Sequence, residues 1–258
     1  MIDFLSTIGR RVIDLCSIAG RLALFVASAF SHCLRPPFYF RNIMQQFWTI
    51  GYNSLPVVGL TAVFTGAVLA LQASVGFSKL TAPAAIPLLV VVSVTRELGP
   101  VLASLMVAGR VGAAIAAELG TMRVTEQIDA LDTLATNPMK YLVVPRVLAG
   151  LFMMPLLVLI ADVIAVMGGF IVSSFILNLN ESAYLINTIA NLHAKDIISG
   201  LVKAAVFGLI ITLLGCFNGY NSRGGAQGVG MATTNAVVYA SVLILFFDYF
   251  LTELFLTQ

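Results

Sequence analysis

Apolar residues in this chain gather into five long runs, at approximately 50–75, 86–117, 143–177, 200–220 and 234–257. A helix needs about 20 apolar residues to cross a bilayer, so each run predicts one transmembrane helix. The second and third runs exceed a single crossing and predict tilted, kinked or extended helices. Pro100 in the second, and Pro145 and Pro155 in the third, are the expected kink points. The first 46 residues are patterned differently. Asp3, Thr7, Arg10, Asp14, Ser17 and Arg21 recur every three or four residues and share one helical face, with Phe4, Leu5, Ile8, Val12, Leu15 and Ile18 elsewhere around it. Such a helix lies in the membrane interface. Leu22 to Leu34 is 13 residues, short for a crossing, and Pro36-Pro37 ends it. The alternative is a sixth span over 12–34, which would bury Asp14 and Arg21. The expected fold is all-α and polytopic: interfacial or elbow helices over 1–46, then a five-span membrane domain over 47–258.

Composition supports the membrane reading. Of the 258 residues, 59% are hydrophobic and only 10% charged, with mean hydropathy +0.99. Soluble domains carry about 25% charged residues, so too little charge is available to cover a water-facing surface. A cytosolic enzyme, a disordered chain and a nucleic-acid binder are excluded, and a net charge of +2 points to no polyanionic partner. Cys16, Cys33 and Cys216 contain no C-x-x-C and read as small buried apolar residues. With only His32 and His193 beside them, no metal site is assigned. Arg21 interrupts the first apolar run, so no signal peptide is expected.

Positive charge orients the spans. With the N-terminus cytoplasmic, Arg10, Arg11, Arg21, Arg35, Arg41, Arg123, Lys140, Arg146 and Arg223 all fall inside. Lys79 and Lys195 fall outside, Lys203 lies just within the fourth span, and the C-terminus is external. Ala62, Gly66, Ala70 and Ser74 on the first span, and Ala108, Gly112, Ala116 and Gly120 on the second, repeat every four residues. Small residues at that spacing let helices approach closely, either within the chain or between subunits.

No catalytic chemistry is legible. A Walker A loop needs G-x-x-x-x-G-K-[ST], and the residues before the four lysines are Ser78, Met139, Ala194 and Val202. The glycine-rich stretch Gly224–Gly230 lacks the G-x-G-x-x-G order. It reads as a cytoplasmic turn, with Thr233 or Thr234 as N-cap of the last span. Two histidines support no nucleophile–base set, so no enzyme is expected.

Two features carry function. Between spans two and three, Thr125 is placed to cap a helix starting at Glu126, with Glu126 and Asp129 in its favourable first turn. Ile128, Leu131, Leu134 and Ala135 form its apolar stripe, and Asn137-Pro138 stops it. With Glu118, Glu126, Asp129 and Asp132 nearby, it reads as an acidic docking element, the alternative being a helix resting on headgroups. The second feature is charge inside the membrane: Arg96 and Glu97, Lys203, Asp248 and, mid-span in the third run, Asp162. Each costs about 2.5–3.5 kcal/mol on insertion scales. They form either an ion-pair network that fixes helix register or the lining of a polar cavity or headgroup path.

R-V-G-A-A-I-A-A-E-L-G-T-M-R-V-T-E-Q-I-D-A-L (Arg110 to Leu131) and N-P-M-K-Y-L-V-V-P-R (Asn137 to Arg146) closely resemble the MlaE family. T-R-E-L-G-P (Thr95 to Pro100) and G-G-A-Q-G-V-G-M-A-T-T (Gly224 to Thr234) extend the resemblance to essentially the whole chain. These are permease subunits of ABC transporters that work with MCE-domain proteins. The resemblance implies a homodimer in a Gram-negative inner membrane, each subunit with an N-terminal interfacial helix and five spans. It implies a coupling helix within about 118–139, with Glu118, Arg123, Glu126, Gln127, Asp129 and Leu131 as candidate contacts to a separate cytoplasmic ATPase. That ATPase uses ATP and Mg, this chain binds no cofactor, and a STAS-domain protein binds the ATPase. A hexameric MCE ring stands over a lipid cavity on the periplasmic side. The expected activity moves glycerophospholipid between membrane and ring, maintaining outer-membrane asymmetry, with Arg96, Glu97, Lys203 and Asp248 on its path. An ion-coupled secondary transporter or a non-transporting scaffold are the alternatives.

Overall fold

The computed structural model describes residues 2–33, 35–36, 39–77 and 82–256, which form eleven α-helices and no strand. Side chains at 2–12, 14 and 15 lie outside the described residues, and with them most of the N-terminal polar stripe; so does Lys79. In chain order the helices are α1 (Ile2–Cys33), α2 (Phe40–Ile50), α3 (Leu55–Gly76), α4 (Ala82–Ser93), α5 (Gly99–Val107), α6 (Ala113–Val124), α7 (Gln127–Thr133), α8 (Val144–Phe175), α9 (Glu181–Asn191), α10 (Ala194–Tyr220) and α11 (Gly225–Leu256). Single π turns at Val94–Leu98 and Ala108–Gly112 join α4, α5 and α6 into one rod. The protein is an all-α polytopic membrane protein. Six stretches are long and apolar enough to cross a bilayer: 16–33, 40–76, 84–124, 139–175, 194–220 and 225–255. Five of them contain the five runs read from the sequence, to within two residues at their C-terminal ends. The sixth is the apolar half of α1, where the sequence left a short dip or an extra span open.

Helix α10 is the centre of the bundle: 14 of the 27 residues of Ala194–Tyr220 are buried, whereas Cys16–Cys33 in α1 is almost wholly unburied. It packs on α8, α11 and α6, while α3 covers the other side of α8. Small residues make these approaches possible. A Cβ on Gly208 would strike the carbonyl of Gly150 on α8, and one on Gly150 would meet the carbonyl of Gly208, so the two backbones touch. The two four-residue stripes behave the same way. Ala62, Gly66 and Ala70 are buried, with Gly66 against the backbone of Ala165, and Ala108, Gly112, Ala116 and Gly120 are buried too. Both stripes therefore serve packing within the chain. The opposite face of α8 shows Phe152, Leu156, Leu159, Val163, Met167 and Ile171 to the outside. That apolar stripe at helical spacing is what a hydrocarbon solvent selects.

Several local expectations change. Pro145 stands at the start of α8, behind a π turn at Met139–Val143, and Pro155 is inside the helix. The last span does not begin near Thr234. Gly224 and Gly225, with φ of 89° and 70°, make the turn, and the glycine-rich stretch is already helical from Gly225. Thr233 and Thr234 cap nothing: each hydroxyl donates to the carbonyl of Gly230. The connection after α8 carries α9, an amphipathic helix absent from the sequence reading. Its N-cap Asn180 accepts from the Ala183 N–H at 3.2 Å. Its apolar residues number too few for a span, so a search for 20-residue runs passes over it.

Candidate functional site

Near the N-terminal end of α10, the helices gather most of the intramembrane charges. Lys203 is 1% exposed on α10, between the α4–α5 junction and α11. Its Nζ lies 2.8 Å from Glu97 Oε2 and 3.1 Å from Asp248 Oδ1. It donates to Thr252 Oγ1 at 2.6 Å and to the Arg96 carbonyl at 3.1 Å. The last contact has a backbone cause. Pro100 has no N–H, so the Arg96 carbonyl four residues upstream lacks its α-helical donor. The Thr252 hydroxyl donates in turn, within reach of the Asp248 carbonyl at 2.8 Å and Glu97 Oε1 at 3.1 Å.

Of the four charges picked from the sequence, Glu97, Lys203 and Asp248 are brought together. Arg96 turns elsewhere, pairing through Nε with Asp196 Oδ1 at 2.7 Å. Asp196 sits in the first turn of α10 and was missed, because it falls before the apolar run that marked the span. Arg96, Glu97, Asp196, Lys203 and Thr252, together with Lys195, Ser199 and Phe255, line a cavity of about 220 Å³, with Asp248 behind Lys203 and outside its wall. Arg96 and Glu97 are 41% and 39% exposed at its rim, while Lys203 and Asp196 are buried beneath. The arrangement offers two accessible groups of opposite charge, held from below by a network that is itself internally paired.

Asp162 is not part of this group. It lines a separate hollow on α8, and its Oδ1 has no hydrogen-bond partner.

The other end of the bundle carries the docking helix. From Lys203 to Tyr220 is 17 residues of α10, about 25 Å at 1.5 Å per residue. There the Arg123 guanidinium lies 5.9 Å from the Tyr220 ring and pairs with Asp129 Oδ1 at 2.5 Å, tying α6 to α7. The helix is shorter than expected. Thr125 does not cap it; its hydroxyl donates back to the Thr121 carbonyl at 2.8 Å, and Glu126, with φ 59°, makes the turn. Ala135, with φ 55°, closes the far end: its N–H bonds to Asp132 and that of Thr136 to Leu131, both at 3.0 Å. Ile128 is fully buried and Leu131 half-buried, whereas Leu134 and Ala135 are exposed, so the apolar stripe is narrower than read. Glu126, Gln127, Asp129 and Asp132 face outward. Glu118 belongs to α6, not to the docking helix, and pairs with buried Arg146 of α8 at 2.9 Å. Among the described residues no cluster of metal-ligating side chains occurs.

The sequence profile of the family described as "Permease MlaE" matches residues 43–254. The chain is 55% identical over 255 residues to a "Probable ABC transporter permease protein" of Rickettsia bellii, covering 99% of this chain and 98% of that one. It is 41% identical over 226 residues to a Synechocystis protein also described as a probable ABC transporter permease, covering 87% and 86%. It is 32% identical over 257 residues to the "Intermembrane phospholipid transport system permease protein MlaE" of Haemophilus influenzae, covering 98% of each chain.

Proposed function

The chain belongs to the MlaE permease family, and on that premise we propose that it is the membrane subunit of an ATP-driven transporter of glycerophospholipid. The observation that carries this reading is the division between the two ends. A charged cavity with Arg96 and Glu97 at its rim occupies one, and the outward acidic helix α7 occupies the other. Headgroups carry phosphate and often ammonium; an arginine beside a glutamate suits both. Helix α7, tied to α6 by Arg123–Asp129, suits docking to a basic groove on a separate ATPase.

In this reading α7 is cytoplasmic, the N-terminus with it, and the charged cavity and C-terminus are periplasmic in a Gram-negative inner membrane. Residues 1–46 form the interfacial elbow. Two copies of the chain pair around a lipid chamber. ATP and Mg act in the partner ATPase, which a STAS-domain protein binds, and this chain supplies no cofactor site. Lipid passes between the chamber and a hexameric MCE ring above it, which maintains outer-membrane asymmetry.

Two variants test the two ends. Glu126→Lys with Asp129→Lys removes ATPase co-purification while the permease still inserts. Glu97→Gln keeps the shape and assembly of the cavity but loses transport, read as detergent sensitivity of the cells. Normal co-purification in the first and full barrier function in the second overturn the reading. Transport that survives ATP depletion but stops with the proton gradient replaces it with ion coupling.

A further inference from the structure

The ionised groups around the charged cavity fall into two sets of opposite net charge. In the first, Arg96 and Asp196 cancel each other through their 2.7 Å pair. Lys195, in the same first turn of α10, lines the cavity, is exposed, and has no carboxylate paired to it among the described residues. In the second, Lys203 stands against both Glu97 and Asp248, which leaves one negative charge. Glu97 is the carboxylate of that set that reaches the cavity; Asp248 stays behind the lysine.

The first set has donors to spare. Arg96 gives only Nε to Asp196 Oδ1, and its two Nη groups bond to no described residue. Asp196 itself shows the cavity little: its side chain is 8% exposed and Oδ2 is buried. Ser199 lies one turn further along α10. It is 7% exposed and lines the cavity, and its hydroxyl has no partner among the described residues yet is not sealed into the packing. A guanidinium, an ammonium and a hydroxyl with free N–H and O–H groups on one cavity form the donor set for a phosphate.

We propose that the charged cavity selects a zwitterionic phospholipid, its phosphate held by Arg96, Lys195 and Ser199 and its ammonium by Glu97. The inference rests on the transport reading above and adds to it which headgroup is taken and which residues of α10 take it. A headgroup with a phosphate and no ammonium satisfies the first set but meets the surplus carboxylate of the second with like charge. An uncharged lipid leaves the phosphate donors unused. The positive surplus at Lys195 and the negative surplus at Glu97 balance, which matches a headgroup whose own two charges sum to zero.

The purified full-length permease, in a non-ionic detergent, is titrated with phosphatidylethanolamine carrying a fluorescent acyl chain, and unlabelled lipids of matched chains compete. Phosphatidylethanolamine is expected to displace the probe at about one-tenth the concentration that phosphatidylglycerol needs, the worth of one charge-assisted contact. Ser199→Ala weakens phosphatidylethanolamine binding by about fivefold and Lys195→Ala by about tenfold, while Lys195→Arg keeps it. Competition by diacylglycerol is the same in these variants as in the parent. Glu97→Gln and Asp196→Asn each remove one negative charge, and both shift the preference toward phosphatidylglycerol. Equal competition by the two phospholipids, unchanged binding in either Lys195→Ala or Ser199→Ala, or displacement by chain-free phosphoethanolamine at the same concentration overturns the proposal and leaves the transport reading standing. No saturable phospholipid binding by the parent overturns both.

Discussion

Lys203 and Asp162 are each a single ionisable residue inside an apolar span, and the protein treats them in opposite ways. Lys203 has three neighbouring oxygens from side chains and one from the backbone, drawn from two other helices. Asp162 has an oxygen with none. In sequence both are the same anomaly, a charge where hydrocarbon should be. Hydrocarbon penalises both, yet only one is compensated within the chain. A charge in a span therefore identifies a place where something must happen, and the partners decide what. Around Lys203 the compensation is structural, and function is displaced to the exposed rim at Arg96 and Glu97. At Asp162 a carboxyl oxygen is buried without a hydrogen-bond partner from the chain.

The largest expected effect is on the satisfied side. Lys203→Met leaves Glu97 and Asp248 facing each other without their cation and costs about 3–5 kcal/mol, the range for breaking a buried pair. Thermal unfolding of the detergent-solubilised permease reads this, and adding Asp248→Asn restores more than half of the loss. A single variant as stable as the parent would mean that the network does not hold the three helices.

Thr252→Val comes next. It removes the hydroxyl that lies between Lys203, Glu97 and the Asp248 carbonyl, and costs about 1–3 kcal/mol in the same assay. Asp162→Leu should move the other way. With no bonded partner to lose, it leaves lipid-free stability unchanged or raises it by about 1 kcal/mol. A loss as large as that of Lys203→Met would show that Asp162 is paired after all and erase the contrast. The smallest effect belongs to Arg123→Ala. Its pair with Asp129 is largely exposed, at 35% and 56%, so the melting temperature changes by under about 1 kcal/mol equivalent while α7 loosens against α6. Hydrogen exchange in α7 checks the second half of that outcome.

The spans were legible because a crossing depends on composition over about 20 residues, and five of them follow from the apolar runs alone. Helix ends were less legible. Thr125 and Thr234 are good N-cap residues by type, yet each hydroxyl turns back to a carbonyl in the preceding turn. The starts were set instead by backbone turns at Glu126 and at Gly224–Gly225. Glu97, Lys203 and Asp248 were legible as a group because charges in hydrocarbon are rare. Asp196 and Arg146 were not, since near the ends of spans a charge is ordinary and only its partner makes it significant.

By itself the sequence determined that the chain is a helical membrane protein, where five of its spans lie, and which intramembrane charges need explaining. Each of these follows from local composition or spacing along one helix. Only the tertiary structure decided which charges meet. Pairing depends on the rotation and depth of each helix, set by contacts such as Gly150 with Gly208 between residues far apart in the chain. That packing gave Arg96 to Asp196 and Lys203 to Glu97, Asp248 and Thr252, and it left Asp162 beside a hollow.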